Sequence, residues 1–283
     1  MTNRIALLLI VLLNGSMLIS THAQDTRKSD TLITTIPQLQ AAIEKVLQRT
    51  KTPAVGIAMV DANGPVWIAG LGKADRERNI DADTATMFRI GSTSKMFVSL
   101  SILKLVEERK VRLDDKVRDL VPDLVFENKW EDTNPILVAN LLEHTTGWDD
   151  IHLCEYAHND SVPISLKDGL AYHPHSRISR WMPGTRMSYC NAGPPVAALI
   201  VEKITGKDFE AYVKENFFTP MGMKTTTYLR SDEYRKHGAT LYDNDKPQKY
   251  WNVIVRPSGS SFATTVEAGM PVPDSAMPMK NPS

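Results

Sequence analysis

Phe88-Arg89-Ile90-Gly91-Ser92-Thr93-Ser94-Lys95-Met96 is the stretch whose reading decides the fold of this chain. It joins a loop to the apolar positions Met96, Phe97, Leu100, Leu103, Leu105 and Val106. That run predicts a helix opening at Ser92, apolar nearly all round and therefore buried. A buried helix with a polar start aims free N–H groups and the positive end of its dipole at whatever sits there. Ser92 and Lys95 stand three residues apart, which on a helix puts both side chains on one face. A serine hydroxyl is a poor nucleophile near neutral pH and needs a neighbour to take its proton. A desolvated lysine can lose its own proton and act as that base. Gly91 is read as the residue that permits a tight approach to the serine.

Short motifs recur by chance, and context separates the copies. Ser101-Ile102-Leu103-Lys104 repeats the Ser-x-x-Lys pattern, but Ser101 falls inside the predicted helix. Its hydroxyl is expected to bond back to a carbonyl of the previous turn. Tyr189-Cys190-Asn191 brings a phenol and an amide between the turn Pro183-Gly184-Thr185 and a predicted helix over Val196–Ile204. Tyr242-Asp243-Asn244 has the same form, but it stands in a charged stretch expected to be a solvated loop. Leu39, Ala42, Ile43, Val46 and Leu47 predict a helix over Pro37–Arg49, with Pro37 in its first turn. Val55–Val60 and Val66–Leu71 flank Asn63-Gly64, a hairpin signal and the clear strand signal of the chain. Residues 95 to about 225 read as mostly helical with long loops. The expected fold class is α+β, a sheet-bearing lobe interrupted by a helical lobe.

Taken in order, these segments resemble the serine β-lactamase-related hydrolases: class C β-lactamases, D-alanyl-D-alanine carboxypeptidases and related esterases. The nucleophile segment around Ser92 is followed by Leu113-Asp114-Asp115-Lys116-Val117 and by Leu141-Leu142-Glu143-His144-Thr145-Thr146-Gly147-Trp148. Pro183 to Gly206 resembles the Tyr-x-Asn block with its helix, and Pro220 to Thr226 the segment after it. The resemblance runs from about Ile36 to Ala268 and implies a β-lactamase/transpeptidase-like fold, an antiparallel sheet lobe plus a helical lobe. It implies Ser92 as nucleophile, Lys95 and Tyr189 as proton carriers and Asn191 as the holder of a substrate amide. It also implies an acyl-enzyme reaction on an amide, ester or β-lactam carbonyl of a small-molecule or peptide substrate, with no cofactor and no metal. His144 is then expected to be a packed or turn-capping histidine.

One family feature is missing. The third motif, Lys or His, then Thr or Ser, then Gly, does not occur after Gly206. Arg256-Pro257-Ser258-Gly259-Ser260-Ser261-Phe262 resembles the block that stands before that strand. The expectation is a hydrolase domain over 24–268, truncated before the family's last strands, and a proline-rich irregular tail over 269–283. Such a chain would lack one oxyanion donor. The alternative is an impaired relative that binds a peptidoglycan-like ligand without efficient turnover.

The 283 residues are 42% hydrophobic and carry a formal net charge of +0. A core is affordable at that composition, and no nucleic-acid or membrane-surface partner is implied. Arg4, the apolar run Ile5–Leu13 and Ala23 read as a signal peptide cut before Gln24, too short to anchor in a bilayer. The expected location is periplasmic or secreted. Cys154 and Cys190 can pair in an oxidising compartment or remain two thiols. His152, His158, His173 and His175 with Cys154 raise a zinc site, but their spacing matches no usual ligand pattern. The plainer reading is a histidine-rich loop rimming the substrate.

Overall fold

The structure, a computed structural model, describes residues 32–156, 158, 163–243 and 245–269. The expected signal peptide, and the expected tail from residue 270 onward, lie outside the described residues. The chain opens with helix α1 (Ile36–Thr50), capped by the Thr35 side chain, which accepts from the Gln38 N–H. Strands β1 (Ala54–Asp61) and β2 (Gly64–Asp75) follow as an antiparallel hairpin. The register pairs Asp61 with Gly64, so the two-residue loop is Ala62-Asn63 and Gly64 lies just past it. Gly64 has φ 120°, a conformation open to glycine and strained for other residues. Strand β3 (Ile80–Asp81) extends this sheet in the order β1-β2-β3.

Strand β4 (Met87–Arg89) leads into the Ser92 turn and helix α2 (Lys95–Glu107). Short helices α3 (Val117–Leu120), α4 (Val138–Leu142), α5 (Leu153–Tyr156) and α6 (Leu166–Ala171) precede α7 (Gly193–Thr205). Helix α8 (Phe209–Val213), helix α9 (Asp232–His237) and strands β5 (Tyr242–Asp243) and β6 (Lys246–Pro247) come next. Strand β7 (Phe262–Thr264) and helix α10 (Thr265–Ala268) complete the described chain. No helix among the described residues is long and apolar enough to cross a membrane.

Four sequence expectations are corrected. Ser92 does not open the α-helix; it lies in a 3-10 turn, Gly91–Ser94, and α2 begins at Lys95. Helix α2 is not buried all round: Phe97, Val98, Ile102 and Leu105 are buried, but Met96 is 55% exposed. Its apolar residues outnumber the neighbours available to cover them. The hairpin is not the sole strand pair. β4 pairs antiparallel with β7, Phe88 opposite Ala263. Three residues are too few to show a strand period in sequence, so this pair needed its tertiary partner to appear. Tyr242 is not in a loop but in β5, where its hydroxyl accepts from the Arg76 N–H at 2.7 Å and donates to Glu77.

The core forms where α2 lies on α7. Residues Gly193 to Val201 of α7 are buried throughout, and Pro194 and Pro195 sit in its first turn, where no N–H is required. The α7 helix therefore starts three residues before the predicted Val196. Phe97 meets Phe218 edge to face at 4.8 Å between ring centroids. Trp148, 2% exposed, joins the same core, its ring tilted against Phe126 at 5.6 Å between centroids. It anchors the loop that carries His144 and Asp150. Trp148→Ala should destabilise the chain by about 3–5 kcal/mol, because a buried aromatic is lost and a cavity left. Urea unfolding checks it; a loss below about 1 kcal/mol would show that Trp148 is no anchor. Trp148→Phe should lose far less.

Candidate active site

Two chain segments fix the Ser92 turn. Gly91 has φ 55°, which explains glycine there by backbone conformation. The expected tight approach is not the reason, since a Cβ on Gly91 would meet nothing within 4 Å. Opposite it runs the segment leading into β7. The Ile90 N–H donates to the Ser261 carbonyl at 3.0 Å, and the Ser261 N–H donates to Ser94 Oγ at 3.1 Å. The Ser94 and Ser261 hydroxyls are 2.5 Å apart and fully buried. The Arg256-to-Phe262 block thus serves as the wall against which the serine turn is held.

All four residues singled out in the sequence meet at this turn. Lys95 Nζ lies 2.9 Å from Ser92 Oγ and 2.7 Å from Asn191 Oδ1, and it also donates to the Ser258 carbonyl. The Tyr189 hydroxyl donates to Ser92 Oγ at 2.6 Å. Ser92 Oγ is therefore in contact with two proton carriers from different elements. Ser101 stays out of the site, its hydroxyl bonded to the Phe97 carbonyl at 2.6 Å as expected for a helix interior.

A second ring of residues holds the first. His144, in a left-handed conformation at φ 58°, faces the Tyr189 ring at 4.6 Å between centroids. Its Nδ1 accepts from the Cys190 N–H at 3.2 Å. Burial pushes the His144 imidazole below its usual range, and nearby Lys95 adds to this, so the ring beside Tyr189 is neutral near pH 7. Asp150 accepts two bonds from Asn191: from its backbone N–H at 2.8 Å and from Nδ2 at 3.1 Å. The Ser258 hydroxyl donates to the Asn191 carbonyl at 2.7 Å. Asp150 and Ser258 were not singled out in the sequence. Asp150 stands two residues past a recognised block, but nothing local tells it from Asp149.

Cys190 and Cys154 are both free thiols. Cys190 is buried and its Sγ donates to the Asp149 carbonyl at 2.9 Å. Burial raises its pKa to about 11, so it is an inert packing group. His152 and His173 stack at 4.4 Å, and His173 lies 5.7 Å from His175. Among the described residues no cluster of three or more His, Cys, Asp or Glu side chains is placed to hold a metal ion. A large cavity lined by Arg230, Tyr250 and Arg256 includes none of Ser92, Lys95, Tyr189 and Asn191.

The arrangement can move a proton off Ser92 as its oxygen attacks a carbonyl. The developing oxyanion needs preorganised donors. The Ser92 N–H, at the start of its turn, is one. The N–H groups of Gly259 and Ser260, which run beside the serine turn, both donate to the Arg256 carbonyl instead.

With that geometry in place, comparisons with known proteins identify the family. The Beta-lactamase family model matches residues 39–273. Protein flp of Staphylococcus aureus (strain MW2) is 28% identical over 215 residues, covering 73% of this chain and 41% of that protein. Unguisins hydrolase ungD' of Aspergillus campestris is 31% identical over 210 residues, covering 70% of this chain and 37% of that protein. The chain thus spans about two-fifths of the length of these relatives. The octameric penicillin-binding protein homologue from Pyrococcus abyssi superposes with a TM-score of 0.72 at 24% identity, over 83% of this chain and 55% of that one. That likeness establishes the β-lactamase/transpeptidase fold. A matched model over most of the chain, this fold, and a serine held between a lysine and a tyrosine agree: the chain belongs to the Beta-lactamase family of serine β-lactamase-related hydrolases.

Proposed function

We propose that this protein is an exported serine hydrolase that opens an amide, ester or β-lactam carbonyl through an acyl-enzyme on Ser92. The observation that carries this reading is Ser92 Oγ lying 2.9 Å from Lys95 Nζ and 2.6 Å from Tyr189 Oη. Ser92 Oγ bonds to the carbonyl carbon, whose π pair moves onto the oxygen, while the serine proton passes to a deprotonated member of the Lys95–Tyr189 pair, the free amine or the phenolate. The pair returns the proton to the leaving nitrogen or oxygen as its bond to carbon breaks. Water then attacks the acyl carbon and gives its proton to the same pair, which returns it to Ser92 Oγ as the acyl C–Oγ bond breaks and the acid product leaves. Asn191 keeps one Nδ2 proton beyond the one Asp150 takes, and that proton suits a substrate amide carbonyl.

The test is to treat the purified chain with a fluorophosphonate or a β-lactam and map the adduct. The expected result is one adduct, on Ser92; an adduct on Ser101 or Ser260 would refute the assignment. A second reading is favoured by the Gly259 and Ser260 N–H groups already being engaged by Arg256. With those N–H groups engaged, the oxyanions of acylation and deacylation both lose stabilisation, and the protein acts as a binder of peptidoglycan-like ligands without efficient turnover. Release of stoichiometric product without multiple turnovers would favour it.

Export rests on Arg4, Ile5–Leu13 and Ala23. N-terminal sequencing of protein recovered from a bacterial periplasm should begin at Gln24. A retained leader or a cytoplasmic product would refute export.

A further inference from the structure

We infer that Asp150 is a positioning residue of this site, one that sets which end of the Asn191 amide faces Lys95. The inference rests on the reading of Ser92 as the nucleophile. A primary amide is nearly symmetric in shape but not in chemistry: one end accepts, the other donates. Facing the N–H donors of Lys95 Nζ, the oxygen end accepts, whereas the nitrogen end would set donor against donor. Packing by shape alone does not choose between them.

The choice falls to whatever sits at the far end. Asp150 is an acceptor only. Its Oδ2 takes Asn191 Nδ2 at 3.1 Å, and its Oδ1 takes the Asn191 backbone N–H at 2.8 Å. The opposite end of the amide, Oδ1, is then committed to Lys95 Nζ at 2.7 Å. The carboxylate is itself held in place. Its Oδ1 also accepts from the Ile151 N–H at 2.8 Å, and the Asp150 N–H donates to Asp149 Oδ1 at 2.9 Å. The loop behind it is anchored by buried Trp148 and by Gly147, whose φ of 74° and missing Cβ let the chain pass the Trp181 carbonyl. A relay runs from Asp150 through Asn191 and Lys95 to Ser92, with every donor meeting an acceptor. Charged partners make such bonds stronger than neutral ones.

Asp150→Asn keeps the shape and removes the discrimination. Its own amide can offer a donor toward Asn191, which is then free to turn its nitrogen toward Lys95. The measurement is the rate of Ser92 labelling by a fluorophosphonate, separated into a maximal rate and a half-saturating probe concentration. Asp150→Asn should lower the maximal rate about 10-fold, a coupling typical of residues in one hydrogen-bonded network. The half-saturating concentration should stay unchanged. In an Asn191→Ala background, where no amide is left to orient, the same substitution should change the rate less than about 2-fold. Equal losses in both backgrounds would overturn the proposal, since a structural role acts with or without Asn191.

A second readout does not need the reaction. In 15N-resolved spectra of the full chain, the Asn191 side-chain amide should show one proton shifted and slowed in exchange by the carboxylate. Asp150→Asn should abolish that signature, and an unchanged Asn191 amide would overturn the proposal. Failure of wild-type chain to label at Ser92 would instead strike the proposed function, leaving the amide spectrum to decide the role of Asp150.

Discussion

Ser92→Ala is expected to abolish covalent labelling by fluorophosphonates and β-lactams. The attacking oxygen is removed outright, and Ser176, whose hydroxyl lies between His173 and Glu155, is fully buried. Ser101 has the same Ser-x-x-Lys context in sequence, but it is fully buried and its proton is committed to the Phe97 carbonyl. Ser94 is also fully buried and tied to Ser261 and Gly91. Ser101→Ala should leave labelling of Ser92 intact and affect stability alone, since it removes a satisfied helix back-bond. The check is intact-mass spectrometry of each variant after incubation with probe. Full-mass labelling of Ser92→Ala would mean that another residue is the nucleophile. Loss of labelling in Ser101→Ala with an unchanged melting temperature would mean the same.

Tyr189→Phe and Lys95→Ala should each slow acylation of Ser92 by roughly 10²–10⁴-fold, the usual worth of a positioned proton carrier. The two should differ in kind. Tyr189→Phe removes a hydroxyl 2.6 Å from Ser92 Oγ and keeps the ring that faces His144. Its folding stability should match wild type. Lys95→Ala leaves Asn191 Oδ1 and the Ser258 carbonyl without their shared donor, so it should also lower stability. The double variant should lose little more than the worse single one, because both act on the same proton. Stopped-flow labelling and thermal unfolding together check this. A loss below about 5-fold for Tyr189→Phe would remove Tyr189 from the proton path.

Much of the local structure was legible from residue order. Helix α1 was read to within a residue at each end, because a proline in the first turn and apolar spacing are both local signals. The hairpin was located, though its loop proved to be Ala62-Asn63. The β4–β7 pair was not legible, since each strand has three residues and they are joined only through the tertiary fold. The apolar run of α2 overstated its burial. Periodicity reports which residues are apolar, not whether the rest of the chain covers them, and Met96 is left open.

The sequence by itself determined the chemistry available and part of its placement. Ser92 and Lys95 are bound to meet wherever a helical turn begins between them, since three residues of such a turn bring their side chains to one face. Tertiary structure decided everything that crosses between segments. It brought the Tyr189 phenol to Ser92 across 97 residues. It set Asp150 against Asn191 across 41 residues and the Ser258 carbonyl against Lys95 across 163. The physical reason is that a hydrogen bond is settled within a few tenths of an ångström, whereas a hydrophobic pattern specifies only which face turns inward. Here the remaining precision comes from α2 lying on α7 and from the β4–β7 pair, which bring three distant loops to one serine.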